Sequence, residues 1–380
     1  MKKFGFLLIL LFVTEISIFA QDFQFSGYLD NVNSVWDMKN NPNWALDETV
    51  TNRLNFSFYV GDFTLHAGLR NIWEFGDFVR LIPDYKNYLV TDAGYFNLTK
   101  NIASENSYIL YSNLDRLYLD YSSDRLEITL GRQRINLAEN MVWNPNDIFN
   151  AYNYYNFTYV EKPGSDAGKI EYYLNDVSSI SSAIKIDRNN KVTAAAILKL
   201  NYWDYDFQFF GGVMPDDYVA GAGWSGAIYG AGFSGEMTYF KSKNDNPIEK
   251  DRLLLAIEGN YTFTNGLFID GSVLLNNRGT TGNAGLNQAV FRENLNVKYL
   301  TPSKVSLFGE AAYPITPLIK GTVSSILNPY DNSFYFGGML QISLTENVDF
   351  NLAGQFFTGE EGTEFGQIGT FLFSQLKWSF

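Results

Sequence analysis

Hydrophobic and polar residues alternate with a period of two along most of the chain beyond residue 20. Between Arg53 and Val60, the residues Leu54, Phe56, Phe58 and Val60 share one parity, and Arg53, Asn55, Ser57 and Tyr59 take the other. After Gly61-Asp62, the set Phe63, Leu65, Ala67 and Leu69 alternates with Thr64, His66, Gly68 and Arg70. The same rhythm returns in Val192 to Leu200, in Leu253 to Ile257 and in Val348 to Leu352. Period two is the pleat of a β-strand, with one greasy face and one wet face. Strands of about ten residues at ~3.3 Å each, tilted ~40°, rise roughly 25 Å, the height of the apolar band of a membrane barrel. A soluble sandwich alternates as well, so the two ends of the chain decide between them.

Lys2 and Lys3 precede the apolar run Phe4 to Val13, and Ala20 stands before Gln21. That order reads as a secretory signal over residues 1–20, with an apolar stretch too short for a membrane helix. At the other end Phe380, Trp378, Leu376 and Leu372 share a parity. A last strand with an apolar face and a terminal aromatic resembles the closing strand of bacterial outer-membrane β-barrels. The resemblance implies delivery to the barrel-assembly machinery through the strand ending at Phe380, and residence in the cell outer membrane. Residues 21–380 are then one all-β domain: a transmembrane antiparallel up-and-down barrel with long extracellular loops, surrounded by outer-membrane lipid. In lipid the sheet must close, because an open edge leaves backbone groups without partners.

Nineteen alternating runs can be counted, but two termini on the same side require an even number. The weakest, Leu295 to Leu300 followed by Thr301-Pro302, is assigned to an outer loop, which leaves eighteen strands; sixteen is the next alternative. Gly61-Asp62, Ser122-Ser123, Thr264 to Gly266, Pro314 to Pro317 and Thr345 to Asn347 then become short turns on one side. Long insertions at Gly76 to Leu114, Ile135 to Gly168 and Asn276 to Ser303 lie on the other, where they can fold inward or project outward.

Composition narrows the function. Aromatics are 17% of residues and charged residues only 18%, while the net charge of −13 argues against nucleic acid as a partner. There is no cysteine, which excludes disulfides, thiol catalysis and cysteine metal sites. His66 is the single histidine, and no Ser-His-Asp spacing surrounds it. It reads as a wall residue, and neither a catalytic constellation nor a cofactor or metal is expected. The glycine-rich stretch Gly221 to Gly235 lacks the lysine and the strand-to-helix setting of a phosphate loop, so its glycines are expected to bend strands or seat aromatics.

The densest candidate for specificity is Arg132 to Gly168. Arg132 and Arg134 sit at the end of a strand; Asp147, Glu161 and Asp166 follow, with Trp143, Tyr152, Tyr154 and Tyr155 between. Asn144-Pro145-Asn146-Asp147 reads as a turn opening a short helix. This stretch, with Tyr313-Pro314 to Pro317 and Asn328 to Asp331, resembles porin-like barrels of the alginate-export group and their relatives. The resemblance implies that Arg132 and Arg134, with Asp147, narrow the pore. Arginine forks match carboxylates, and facing Asp147, Glu161 and Asp166 would set a transverse field across the constriction. The plainer reading is that the arginines pair with these acids and pin the loop. The tyrosines are likewise either a stacking track or a loop core. Register places His66, Arg70, Glu74 and Glu258 on the lumen side, along with Glu236, Asp270 and Glu310, and leaves the outer band almost without charge.

Two functions follow. One is a porin-like channel, not an enzyme, for passive diffusion of small polar or anionic solutes, narrowed by infolded loops. The other is a plugged barrel acting in surface adhesion or ligand capture. Whether barrels associate, for instance as a homotrimer, is open.

Overall fold

The computed structural model describes residues 22–39, 43–151, 153–156, 162–244, 250–291 and 295–380. The signal segment 1–20, Tyr152 and Glu161 lie outside the described residues. The strands are β1 (Phe23–Met38), β2 (Ala45–Val60), β3 (Phe63–Gly76), β4 (Thr99–Glu105), β5 (Tyr108–Ser122), β6 (Leu126–Gln133) and β7 (Ser165–Asn175). There follow β8 (Ser178–Ile186), β9 (Val192–Tyr202), β10 (Tyr205–Val213), β11 (Asp217–Ile228), β12 (Ala231–Ser242) and β13 (Arg252–Thr262). The last are β14 (Phe268–Asn276), β15 (Val305–Thr316), β16 (Ile319–Asn328), β17 (Ser333–Thr345), β18 (Val348–Thr358) and β19 (Gly369–Ser379).

Each strand pairs antiparallel with its neighbours, and β1 pairs with both β2 and β19, closing an eighteen-stranded barrel. The seam is finished by two backbone hydrogen bonds of 2.9 Å between Gly27 and Phe380. Leu295 to Leu300 forms no strand; its centre is a single 3₁₀ turn, Val297–Tyr299. The element that sequence periodicity misses is β4, which pairs with β5 at Tyr108–Asn113, while β6 pairs lower down at Leu117–Ser122. β4 therefore extends the wall above β6 without adding a strand to the ring. The first long insertion is correspondingly shorter than expected, because β5 already begins at Tyr108.

The outward positions of β8 to β18 are mostly apolar, as in Ile180, Leu198, Phe209, Met237, Leu255 and Leu352. The glycine-rich stretch serves this surface. A Cβ on Gly235 would lie 2.2 Å from the Trp224 ring, and one on Gly226 would lie 2.4 Å from Tyr205, so the glycines seat aromatics on neighbouring strands.

The outward face of β19, β1, β2, β3 and β5 is different. There Ser374, Asn33 and Glu48 stand in register, as do Asn52, Asn71 and Ser112, and Asn31, opposite Val50, lies between the two rows of this polar stripe. Glu48 departs from the expectation of a band almost free of charge.

Candidate functional site

The insertion between β6 and β7 turns into the barrel. Ile135, Leu137, Val142, Trp143, Ile148 and Phe149 are buried there against inward side chains of the far wall, among them Phe240, Leu254, Leu274 and Phe308. These wall residues break the wet-inside rule: Leu253 to Ile257 is apolar on both parities because its inner face seats a loop. The expected helix after Asn144 does not form. The chain makes a tight turn, with Asp147 N–H donating to Asn144 O at 3.1 Å, and continues irregularly.

Buried loop backbone requires acceptors, and the wall supplies carboxylates. Glu236 Oε1 accepts the N–H groups of Glu139 (2.6 Å) and Asn140 (3.0 Å), and its Oε2 accepts that of Asn146 (2.8 Å). Glu258, 1% exposed, accepts those of Met141 (2.9 Å) and Val142 (3.3 Å). Further along the row, Glu310 accepts the Tyr154 hydroxyl at 3.2 Å. Tyr154 and Tyr155 pack edge-on against Tyr335, so these two rings are loop core.

Two other insertions lock onto the same filling. Lys298 pairs with Asp217 at 2.6 Å, both buried. Glu364 accepts from Asn287 (2.8 Å) and Asn328 (3.0 Å), and burial raises its carboxyl to about 7.

Arg132 and Asp166 face each other across β6 and β7, with Nε to Oδ1 at 2.7 Å. Arg132 also meets Asp92 at 2.8 Å and the Phe96 carbonyl at 2.6 Å, and its side chain is 4% exposed. Both residues take the parity of Leu130 and Gly168, the outward one, while their neighbours Gln133 and Ser165 point inward. The segment 92–98 covers them. Burial works to raise the Asp92 carboxyl, but the Arg132 guanidinium and the N–H groups of Gly94 and Leu98 outweigh it and hold it below the ordinary carboxylate range. Gly94 leaves room for the ion pair: a Cβ there would meet Arg132 Nη2 at 2.1 Å and force the guanidinium to shift. In this geometry Arg132 fastens a loop and does not line open lumen.

Arg134 is half-buried and donates to Asn136 Oδ1 at 2.9 Å. Asp147 is fully buried; Leu137 N–H reaches its Oδ1 at 3.4 Å, and its Oδ2 has no hydrogen-bond partner among the described residues. Burial pushes this carboxyl up to about 7, against the nearby charges of Lys162, Arg134 and Lys185.

The opposite side of the lumen is hollow. A cavity of about 610 Å³ lies between the inner faces of β1 to β3 and the loop, lined by Asp30, Asp47, Glu74, Arg70, Trp36 and Tyr155 among others. Two single-turn helices, Asp77–Leu81 and Tyr85–Leu89, border it. The Tyr85 hydroxyl donates to Glu74 at 2.5 Å, and Phe78 N–H donates to Asp47 Oδ1 at 2.9 Å. Toward the short turns the interior stays wet. His66 stands 2.9 Å from Ser57 Oγ and 3.4 Å from Asp120, with a quarter of its side chain (26%) exposed. Sequence reading found Arg70 and Glu74 but missed Asp30, Asp47 and Trp36, although all three lie at alternate positions opposite an outward set.

No protein-family model matches the chain, and no curated protein matches it by sequence. The fold, in contrast, matches solved outer-membrane porins. Pseudomonas aeruginosa OccK5 (OpdH) aligns with TM-score 0.63 at 9% identity, covering 95% of this chain and 98% of its own. Acinetobacter baumannii OccAB4 aligns with TM-score 0.61 at 10% identity, covering 94% and 98%. Pseudomonas aeruginosa OccK8 (OprE) gives 0.59 at 9%, covering 95% and 99%. These likenesses support the porin-like barrel expected from the sequence without singling out the alginate-export group.

Proposed function

We propose that the chain is a passive channel of the outer membrane, admitting small polar or anionic solutes. The observation that carries this reading is an uneven filling of the lumen. The infolded loop occupies the side of β8 to β18, and a cavity remains along β1 to β3. Lumens of barrels this size are aqueous unless plugged. Planar-bilayer recording of the purified barrel tests it: discrete conductance steps are expected, and their absence would leave the plugged barrel of adhesion or ligand capture. The cavity left beside the infolded loop favours the channel over that alternative.

Within this reading no catalytic step is assigned. Arg132 acts with Asp92 and Asp166 as the fastening of the loop above β6. Arg134 stands at the edge of the constriction, with Glu161 as an expected neighbour, while Asp147 is buried inside the loop and accepts from Leu137 N–H. His66, Arg70, Glu74 and Glu258 are lumen wall. The finer likeness to alginate exporters would require passage of a polyanion, a heavier demand on a cavity lined by Asp30, Asp47 and Glu74 beside the single charge of Arg70 than a small solute makes. The strand β19, closing on β1 through Phe380, is the segment the assembly machinery would receive.

A further inference from the structure

The polar stripe crosses the middle of the apolar belt, not its rim. On β2 the outward neighbours of Asn52 are Val50 and Leu54; on β3 those of Asn71 are Leu69 and Trp73. The polar groups answer one another where they can. Asn33 Nδ2 donates to Asn31 at 2.8 Å, and Asn31 Nδ2 donates to Glu48 at 2.7 Å. Ser112 Oγ donates to Asn71 at 2.5 Å, and Asn71 Nδ2 donates to Asn52 at 3.3 Å. Such ladders lower the cost of facing hydrocarbon but do not remove it, because amides carry more donors and acceptors than one ladder uses. A carboxylate on the lipid face is costly as well.

We infer that this sector is not a lipid surface and that a second copy of the chain docks on it. Three features favour a copy over an unrelated protein. The stripe is confined to one contiguous sector, β19 to β5, as a single interface requires. Asparagine amides both donate and accept, so a face of them is complementary to itself. The stripe also carries opposite charges on the two sides of β3: Glu48 on β2, and the exposed Lys100, which β4 places in register with Ser112 on the same face. A two-fold axis along the membrane normal beside β3 exchanges the two sides, so the acidic side of one barrel meets the basic side of the other. Leu46, Leu54 and Trp73 frame the stripe with apolar contact area.

The chain has no cysteine, so a single introduced thiol reports on the contact without background. Asn71→Cys, oxidised in membranes, is expected to give a covalent dimer of this chain, whereas Leu255→Cys on the apolar wall gives none. The double variant Asn52→Leu/Asn71→Leu should keep the heat-modifiable gel mobility of a folded barrel yet self-associate roughly tenfold more weakly by native mass measurement, the effect of losing two interfacial amide pairs. Equal cross-linking at both thiols, undiminished association of the double variant, or capture of a different protein by Asn71→Cys would each overturn the inference. Because association and conductance are read separately, a silent but dimeric barrel would sink the channel reading alone.

Discussion

The two sides of the lumen solve opposite problems with the same alternating strands. From β8 to β18 the inner face is apolar where Leu254, Ala256 and Leu274 seat the loop, and acidic where Glu236 and Glu258 hold its backbone. From β1 to β3 the inner face is Asp30, Thr51, Arg70 and Glu74 around a cavity, and Ile72 is buried there under residues of the first insertion, Val79, Tyr85 and Leu89. The same period thus builds a protein interior on one side and a water boundary on the other. What differs is only the chemistry of the inward parity.

That contrast can be broken most severely at Glu236. Glu236→Ala leaves three buried loop N–H groups without acceptors, at about 1–3 kcal/mol each. The loop should leave its seat, and single-channel conductance should rise, with new protease cleavage between 135 and 150. Next is Arg132→Ala, which strands the buried carboxylates of Asp92 and Asp166. Removing one partner of a buried pair costs about 3–5 kcal/mol, read as a lowered denaturation midpoint, and Gly94→Ala should shift it in the same direction. Trp143→Asn separates packing from hydrogen bonding and should loosen the loop with Glu236 intact.

A pH effect of up to about 4 kcal/mol follows from Asp147, whose carboxyl moves from 3.8 to about 7 in the folded loop. The folded state keeps a proton that the released loop gives up. Docking is therefore strongest below pH ~4, weakens as pH rises through 7, and is constant above that. Loop-closure events in bilayer recordings should be longer at pH 5 than at pH 8, and Asp147→Asn should reduce the difference. The smallest effect is expected on the hollow side. Tyr88→Ala, at a half-exposed residue, should change stability by less than about 0.5 kcal/mol while speeding solute entry in liposome swelling.

Much of this architecture is legible in the sequence, and the parts that are not have physical causes. Strand positions follow from alternation because lipid outside and water inside both enforce it. Eighteen strands follow from parity and from the weakness of Leu295 to Leu300. β4 escapes notice because Thr99 to Glu105 has no greasy parity. The inner seat is hidden for a related reason: Leu253 to Ile257 is apolar on both faces, and nothing local tells whether the second face meets a loop. Arg132 is the instructive case. Leu126, Ile128 and Leu130 already place it on the outward parity, whereas the family likeness suggested the pore. Only the tertiary cover from segment 92–98 explains how a cation can sit there.

The wall acids hold the infolded loop by its main chain. Amide hydrogens at 139, 140, 141, 142 and 146 are the same whatever side chain follows them, and proline alone cannot supply one. A side chain that faces away from the wall, such as the exposed Met141, can therefore be exchanged while the loop stays put, whereas Val142 and Trp143 remain tied by their packing. A loop held this way can vary at its exposed positions without losing its seat.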